Sequence, residues 1–135
     1  MKKTFTRVLI KDESNNVLVV QDREDMWNFP GGKLELGETP MECAQREVKE
    51  EIGLQIHQLT EISHSKFLFG DTQWMGYFYF ADSVRGIPAM NELDKIKGMR
   101  FISNFDVVKF PEELSQINNL LSKSSLLQTK TTIWR

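Results

Sequence analysis

Cys43 is the only cysteine in this chain, so no internal disulfide can form, which suits a reducing compartment. A basic surplus is also missing. The 17 Lys and Arg stand against 19 Asp and Glu, giving a net charge of −2 and an isoelectric point near 5.7. Proteins that track a nucleic-acid backbone carry the opposite balance, so no extended nucleic acid is expected as a partner. No stretch approaches the roughly 20 apolar residues that cross a bilayer, which argues against a membrane partner. Behind Met1-Lys2-Lys3-Thr4-Phe5 there is no apolar run of the secretory kind, so the expected location is the cytoplasm. Repeats, low-complexity segments and linkers are absent as well.

What remains is ordinary globular composition, 27% charged and 40% hydrophobic over 135 residues. That length suits one domain, residues 1–135, with a core that needs neither disulfides nor a structural metal. Monomer and homodimer both stay open. Phe5 to Ile10 and Val17 to Gln21 read as strands, separated by the turn-forming run Asp12-Glu13-Ser14-Asn15-Asn16. A loop from Asp22 to Met26 leads into the compact run Trp27-Asn28-Phe29-Pro30-Gly31-Gly32-Lys33-Leu34-Glu35. Leu54 to Ser63, Lys66 to Phe69, Trp74 to Ala81 and Gly98 to Ser103 look extended. Phe110-Pro111-Glu112-Glu113-Leu114 opens a helix carrying Leu114, Ile117, Leu120 and Leu121 at helical spacing. Residues 122–135 show no clear period. The pattern predicts an α/β or α+β sandwich built on a mixed sheet.

The sharpest local signal lies between Thr39 and Gly53. Thr39 is a natural N-cap, Pro40 fits the first helical position, and Glu42 completes a capping box. Gly53 is the expected left-handed stop. On a wheel of about 100° per residue, Glu47, Glu50 and Glu51 share one face. Met41, Ala44, Val48 and Ile52 form the neighbouring stripe, expected to be buried. Like charges one turn apart destabilise a helix. Arg46, with Glu42 and Glu50 one turn either side, relieves only part of this, because Glu38 adds a further charge just upstream. A hard divalent cation relieves the rest, and carboxylate oxygen is what Mg²⁺ or Mn²⁺ prefers. A Glu-rich helix is more often just a solvated face. Here Gly31-Gly32 just before it permits close approach of backbone to a phosphate or metal, and Gly37 adds a second flexible point.

Gly32, Glu38, Arg46-Glu47-Val48, Glu50-Glu51 and Gly53-Leu54 stand at the spacing of the Nudix box, matched at every defined position. The chain therefore resembles a Nudix hydrolase, and the resemblance implies a mixed β-sheet sandwiched between α-helices. It also implies Mg²⁺, with Mn²⁺ as a possible substitute, bound by Glu47, Glu50, Glu51 and the Gly31 carbonyl. Glu47 or Glu50 takes the proton of the attacking water, Glu38 supports the site, and Arg46 orients the glutamates through salt bridges. The reaction so implied is attack of water on a phosphorus of a diphosphate bridge.

The run from Trp27 to Glu35 is similar to the MutT-type branch, which converts nucleoside triphosphates to monophosphate and pyrophosphate, in some members with oxidised dGTP. Phe29 and the aromatics Trp74, Tyr77, Phe78, Tyr79 and Phe80 are candidates for stacking on the base, Phe78 foremost of the strand. Against this, alternation along a strand buries every second residue. Gly32, Lys33 and Arg23 are candidate phosphate contacts. Two positions depart from the branch. The asparagine or aspartate expected after a Phe-Pro element is replaced by Leu114, and a glutamate expected near Gly98 is replaced by Met99, with Glu92 or Asp94 as loop substitutes. Oxidised-guanine specificity loses one support there; triphosphate hydrolysis does not depend on it. ADP-ribose, nucleotide sugars and capped RNA ends are the alternative substrates, and a non-catalytic nucleotide sensor is the alternative class. Sensors of this fold lose box glutamates, whereas this chain keeps them. His57 and His64 fall outside the box and are expected to be structural, and Cys43 is expected to be a small buried thiol.

Overall fold

A computed structural model describes residues 3–135. β1 (Lys3–Leu9), β4 (Gly31–Lys33), β5 (Gln55–Phe69) and β6 (Thr72–Arg85) form a mixed sheet in the order β4-β1-β6-β5. β1 lies parallel to β6 and antiparallel to β4, with Arg7 opposite both Phe78 and Gly31. A second sheet, β3-β2-β7, holds β2 (Val17–Arg23) between β3 (Met26–Asn28) and β7 (Gly98–Ile102), both antiparallel to it.

Alternation along the strands sends apolar side chains both ways and makes two cores. Val8, Ile10, Leu18 and Val20 face α1 (Pro40–Ile52), packing on Ala44, Val48 and Ile52. Phe5, Leu9, Val17 and Val19 point oppositely, toward Ile117 and Leu121 of α2 (Ser115–Ser122) and Leu127 of α3 (Ser125–Thr129). Helices thus cover both faces, the sandwich expected from the residue pattern. Among the described residues no helix is long and apolar enough to cross a membrane.

α1 begins and ends where its caps dictate. Thr39 Oγ1 accepts from the Glu42 N–H at 3.2 Å, and Glu42 Oε1 accepts from the Thr39 N–H at 2.9 Å. Gly53 turns left-handed at φ 73° and donates to the Lys49 carbonyl. These bonds satisfy end groups that a helix otherwise leaves unpaired.

Several local expectations fail for traceable reasons. The two expected extended pieces are one long strand, Gln55–Phe69, bulged near His57 and Ile62, that turns at Gly70-Asp71 into β6. Asp22 and Arg23 belong to β2, so the expected loop shrinks to a tight turn before β3. Met41 is 43% exposed although it shares the stripe of Ala44, Val48 and Ile52, because it lies in the first turn of α1; Leu120 is 59% exposed, off the face that Ile117 and Leu121 bury. The tail with no sequence period docks through long-range bonds. The Lys11 N–H donates to Thr132 Oγ1 at 2.9 Å, and Trp134 Nε1 donates to the Lys11 carbonyl at 2.7 Å. β8 (Ile133–Trp134) extends the edge of β6 beyond the end of β1.

Candidate active site

The caps fix the rotation of α1, and its packing on β1 and β4 sets its carboxylates against the Gly31-Gly32 strand. Glu51 is buried, with Oε1 accepting from the Gly31 N–H at 2.9 Å. Glu47 is also buried, and Glu50 stands exposed at the rim.

The two glycines are irreplaceable in different ways. A Cβ on Gly32 falls 2.1 Å from Glu47 Oε2, whereas one on Gly31 falls 1.9 Å from the backbone oxygen of Thr6. A side-chain tip moves aside; a β-strand backbone does not. Gly32→Ala is therefore expected to fold but to lose about 10²-fold in kcat through a displaced Glu47. Gly31→Ala is expected to cost ~4 kcal/mol or more in urea melts. Equal melting curves for the two variants would refute the distinction.

Arg46 is the hub of the cluster. Its Nε meets Glu38 Oε2 at 2.6 Å and Glu35 at 3.1 Å, and its Nη1 meets Glu47 at 2.7 Å and Glu50 at 3.1 Å. Nη2 donates to Glu38 Oε1 at 3.1 Å and to the Lys33 carbonyl at 3.0 Å. Glu42 lies outside this set, its carboxylate being spent on the cap. The hydrogen bond from Arg46 holds the Glu38 carboxyl below its ordinary range, despite some burial. The same bond is the first cause that pushes the guanidinium up.

Deeper in, burial dominates. It raises the Glu47 carboxyl against the opposing pull of Arg46. Glu51 is pushed up to about 7 by burial, against the Gly31 hydrogen bond and the Arg7 charge. Two half-compensated carboxylates beside a backbone strand are an all-oxygen donor set short of positive charge, which is what a hard divalent ion suits. Among the described residues no three acidic, His or Cys side chains already converge on a single point, because Arg46 and the Gly31 N–H hold the carboxylates individually. The chemistry of the donors fits a cation all the same.

A cleft of about 400 Å³ opens over Glu47 and Glu51, with Gly31, Gly32, Lys33 and Lys95 on its walls. Lys95 reaches Glu92 at 3.5 Å, and that neighbour raises its ammonium. A second cleft of about 310 Å³ is lined by Phe5, Phe69, Trp74, Pro111 and Leu114 among others. Arg7, Asp22, Gly32 and Lys33 line both, so the two adjoin.

Lys33, Gly32 and Arg23 line these clefts, Lys33 with its ammonium 5.6 Å from the Trp74 ring centre. Phe29 and Phe78 do not. Both are 0% exposed, Phe29 packed on Phe105 and Phe110 and Phe78 beneath Phe5 and Phe67, so neither offers a ring face to a base. Trp74 alone of the five β6 aromatics lines the cleft, joined by Phe69 from the other arm of the hairpin. Tyr77 and Tyr79 pack toward the α1 side, and burial pushes the Tyr79 phenol up to about 12. Cys43 is buried, as its size suggests.

Sequence patterning misses Arg7, Asp22, Asn28 and Lys95. Arg7 had a signal, a charge at the apolar phase of β1 between Phe5 and Leu9. Lys95 had none, since only the fold of its loop brings it over the helix.

A NUDIX domain family model matches residues 1–121. The chain is 34% identical to the oxidized purine nucleoside triphosphate hydrolase of Danio rerio, over 95% of this chain and 81% of that protein. It is 32% identical to the 8-oxo-dGTP diphosphatase of Escherichia coli, over 65% of this chain and 73% of that one. A crystal structure of a MutT NUDIX hydrolase from Burkholderia pseudomallei superposes with a TM-score of 0.75 at 18% identity, covering 92% of this chain and 99% of that chain. With three of the box glutamates gathered around Arg46 and the family match spanning most of the chain, this protein belongs to the Nudix family, in its MutT-like branch.

Proposed function

We propose that this protein, with residues 1–135 as its one domain, hydrolyses oxidised purine nucleoside triphosphates to monophosphate and pyrophosphate in the cytoplasm. The observation that carries this is that the two clefts adjoin. One is walled by aromatics, the other by carboxylates, ammonium groups and a glycine strand, and four residues are common to both. A base stacked near Trp74 and Phe69 leads its phosphates past Lys33 to Glu47 and Glu51. One aromatic–base contact contributes about 1–3 kcal/mol. The names of the relatives supply the oxidised purine.

Glu47, Glu50, Glu51 and the Gly31 carbonyl are the groups to hold Mg²⁺. When bound, such an ion neutralises phosphate oxygens and lowers the pKa of a water ligand. The chain's own residues do the rest. Arg46 engages Glu47 Oε1, so Oε2 stays free to take the proton of the attacking water, with Glu50 as the more exposed alternative. Glu38 fixes Arg46, and Lys33 and Lys95 offset the charge of the phosphates. No extended nucleic-acid track is needed.

With Mg²⁺ and 8-oxo-dGTP, phosphorus NMR is expected to show pyrophosphate and the nucleoside monophosphate. Orthophosphate with nucleoside diphosphate rejects that regiochemistry. A far better turnover of ADP-ribose or a nucleotide sugar rejects the substrate class while leaving the family intact. Chelator-treated protein that keeps full turnover in metal-free buffer rejects the metal.

A further inference from the structure

Buried polar atoms nearly always have hydrogen-bond partners, so those without one point to something. Among the described residues four buried side-chain atoms are unpartnered: Arg7 Nε, Asp22 Oδ1, Glu92 Oε1 and Asn118 Oδ1. Asn118 borders a separate hollow beside α2, and Glu92 belongs with Lys95 at the carboxylate site. Arg7 and Asp22 both lie on the wall common to the two clefts. The Asp22 charge acts on Arg7, yet the two form no ion pair, which would satisfy both atoms at once. Arg7 Nη1 instead donates to the Phe29 carbonyl at 3.1 Å. The two side chains on this wall are an acceptor-only carboxylate and a donor-only guanidinium, each with one buried atom left unpaired.

A ligand that satisfies both carries a donor and an acceptor on adjacent atoms. An ordinary purine offers nothing of the kind on its five-membered ring. N7 is a bare acceptor, and its lone pair meets the carboxylate unfavourably, while C8–H is apolar. Oxidation at C8 places a proton on N7 and a carbonyl oxygen on C8, side by side. We propose that Asp22 and Arg7 are the residues that distinguish oxidised from ordinary purines, the Asp22 carboxylate accepting from N7–H and the Arg7 guanidinium donating to O8. This rests on the substrate reading given above.

The six-membered ring of guanine also carries an adjacent acceptor and donor, but oxidised and ordinary guanine have that edge in common. Selectivity therefore separates the two edges. The test is calorimetric binding of 8-oxo-dGMP and dGMP in chelator-containing buffer, which takes the metal and the chemistry out of the readout. The parent is expected to bind 8-oxo-dGMP at least about 10-fold more tightly than dGMP. Asp22→Asn removes the acceptor-only character and can turn an NH₂ toward an unprotonated N7. It is expected to weaken 8-oxo-dGMP by roughly 10- to 100-fold and to tighten dGMP by a few-fold, so that the preference collapses. If Asp22→Asn does not fold, Asp22→Ser is measured in the same way. A variant that retains the parent's preference overturns the inference and leaves the substrate reading standing. Equal weakening of both nucleotides also overturns it, since the pair then serves the sugar, the phosphate or the six-membered ring. A parent that turns over 8-oxo-dGTP no better than dGTP overturns the substrate reading itself, and this inference with it.

Discussion

Replacing Glu51 by Gln is expected to lower kcat by roughly 10²–10⁴ while stabilising the protein prepared without metal. The two effects share one cause. Glu51 is 7% exposed and its carboxyl is pushed up to about 7, first by burial. An acid whose folded pKa lies above its unfolded value binds more protons folded than unfolded between those values. Its contribution is therefore full below about 4.5 and is lost as pH rises toward about 7. The gap between 4.5 and about 7 corresponds to about 3 kcal/mol of strain in the charged form. Gln carries no charge, keeps the shape, and can still accept from the Gly31 N–H. Without metal, the melting-temperature advantage of Glu51→Gln should be small at pH 5 and grow until about pH 7–8. With saturating Mg²⁺, the same substitution removes an anionic ligand where charge builds on phosphorus oxygens, and turnover falls. A folded variant whose kcat stays within a few-fold of the parent's would sink the assignment of Glu51. An advantage that does not vary with pH would sink the electrostatic account.

The box and the caps of α1 were legible because both are local. Thr39, Glu42 and Gly53 act through bonds to neighbours three or four residues away, and the carboxylate face follows from helical pitch alone. What escaped the sequence depends on partners far along the chain. β3 and β4 are three residues each, and only pairing with β2 and β1 makes them strands. Phe29 looks like a stacking platform beside the glycines, yet Phe105 and Phe110, some 80 residues later, close over it. Along β6, alternation correctly separates Trp74 and Phe78 from Tyr77 and Tyr79. It does not say that Phe5 crosses above Phe78 and leaves Trp74 at the open end. Arg7 and Asp22 lie on strands that do not pair with each other, so their meeting at one wall is a product of how the two sheets pack.

Arg46→Lys tests whether the hub works by charge or by shape. If charge alone mattered, lysine would serve, because the net balance of the cluster is unchanged. The structure favours shape. One planar guanidinium meets Glu38 in two places and Glu47 and Glu50 with a third nitrogen. An ammonium is a point donor on a flexible stem and cannot span Glu38 and Glu47 together. Arg46→Lys is thus expected to lower kcat by roughly 10–100-fold with little change in KM, because the glutamates lose their alignment rather than the nucleotide its contacts. Arg46→Gln removes the charge too and leaves Glu47 buried opposite no cation. That variant should lose about 3 kcal/mol in urea melts, the low end for breaking a buried pair, since Arg46 keeps a 24% exposed side chain. It should also raise the pH of the acid limb of kcat/KM, because the pull that Arg46 exerts on the Glu38 and Glu47 carboxyls is gone. An Arg46→Lys enzyme with parental kcat would show that the cluster needs only a nearby positive charge. An Arg46→Gln profile with its acid limb unmoved would show that neither carboxylate titrates in the rate-limiting step.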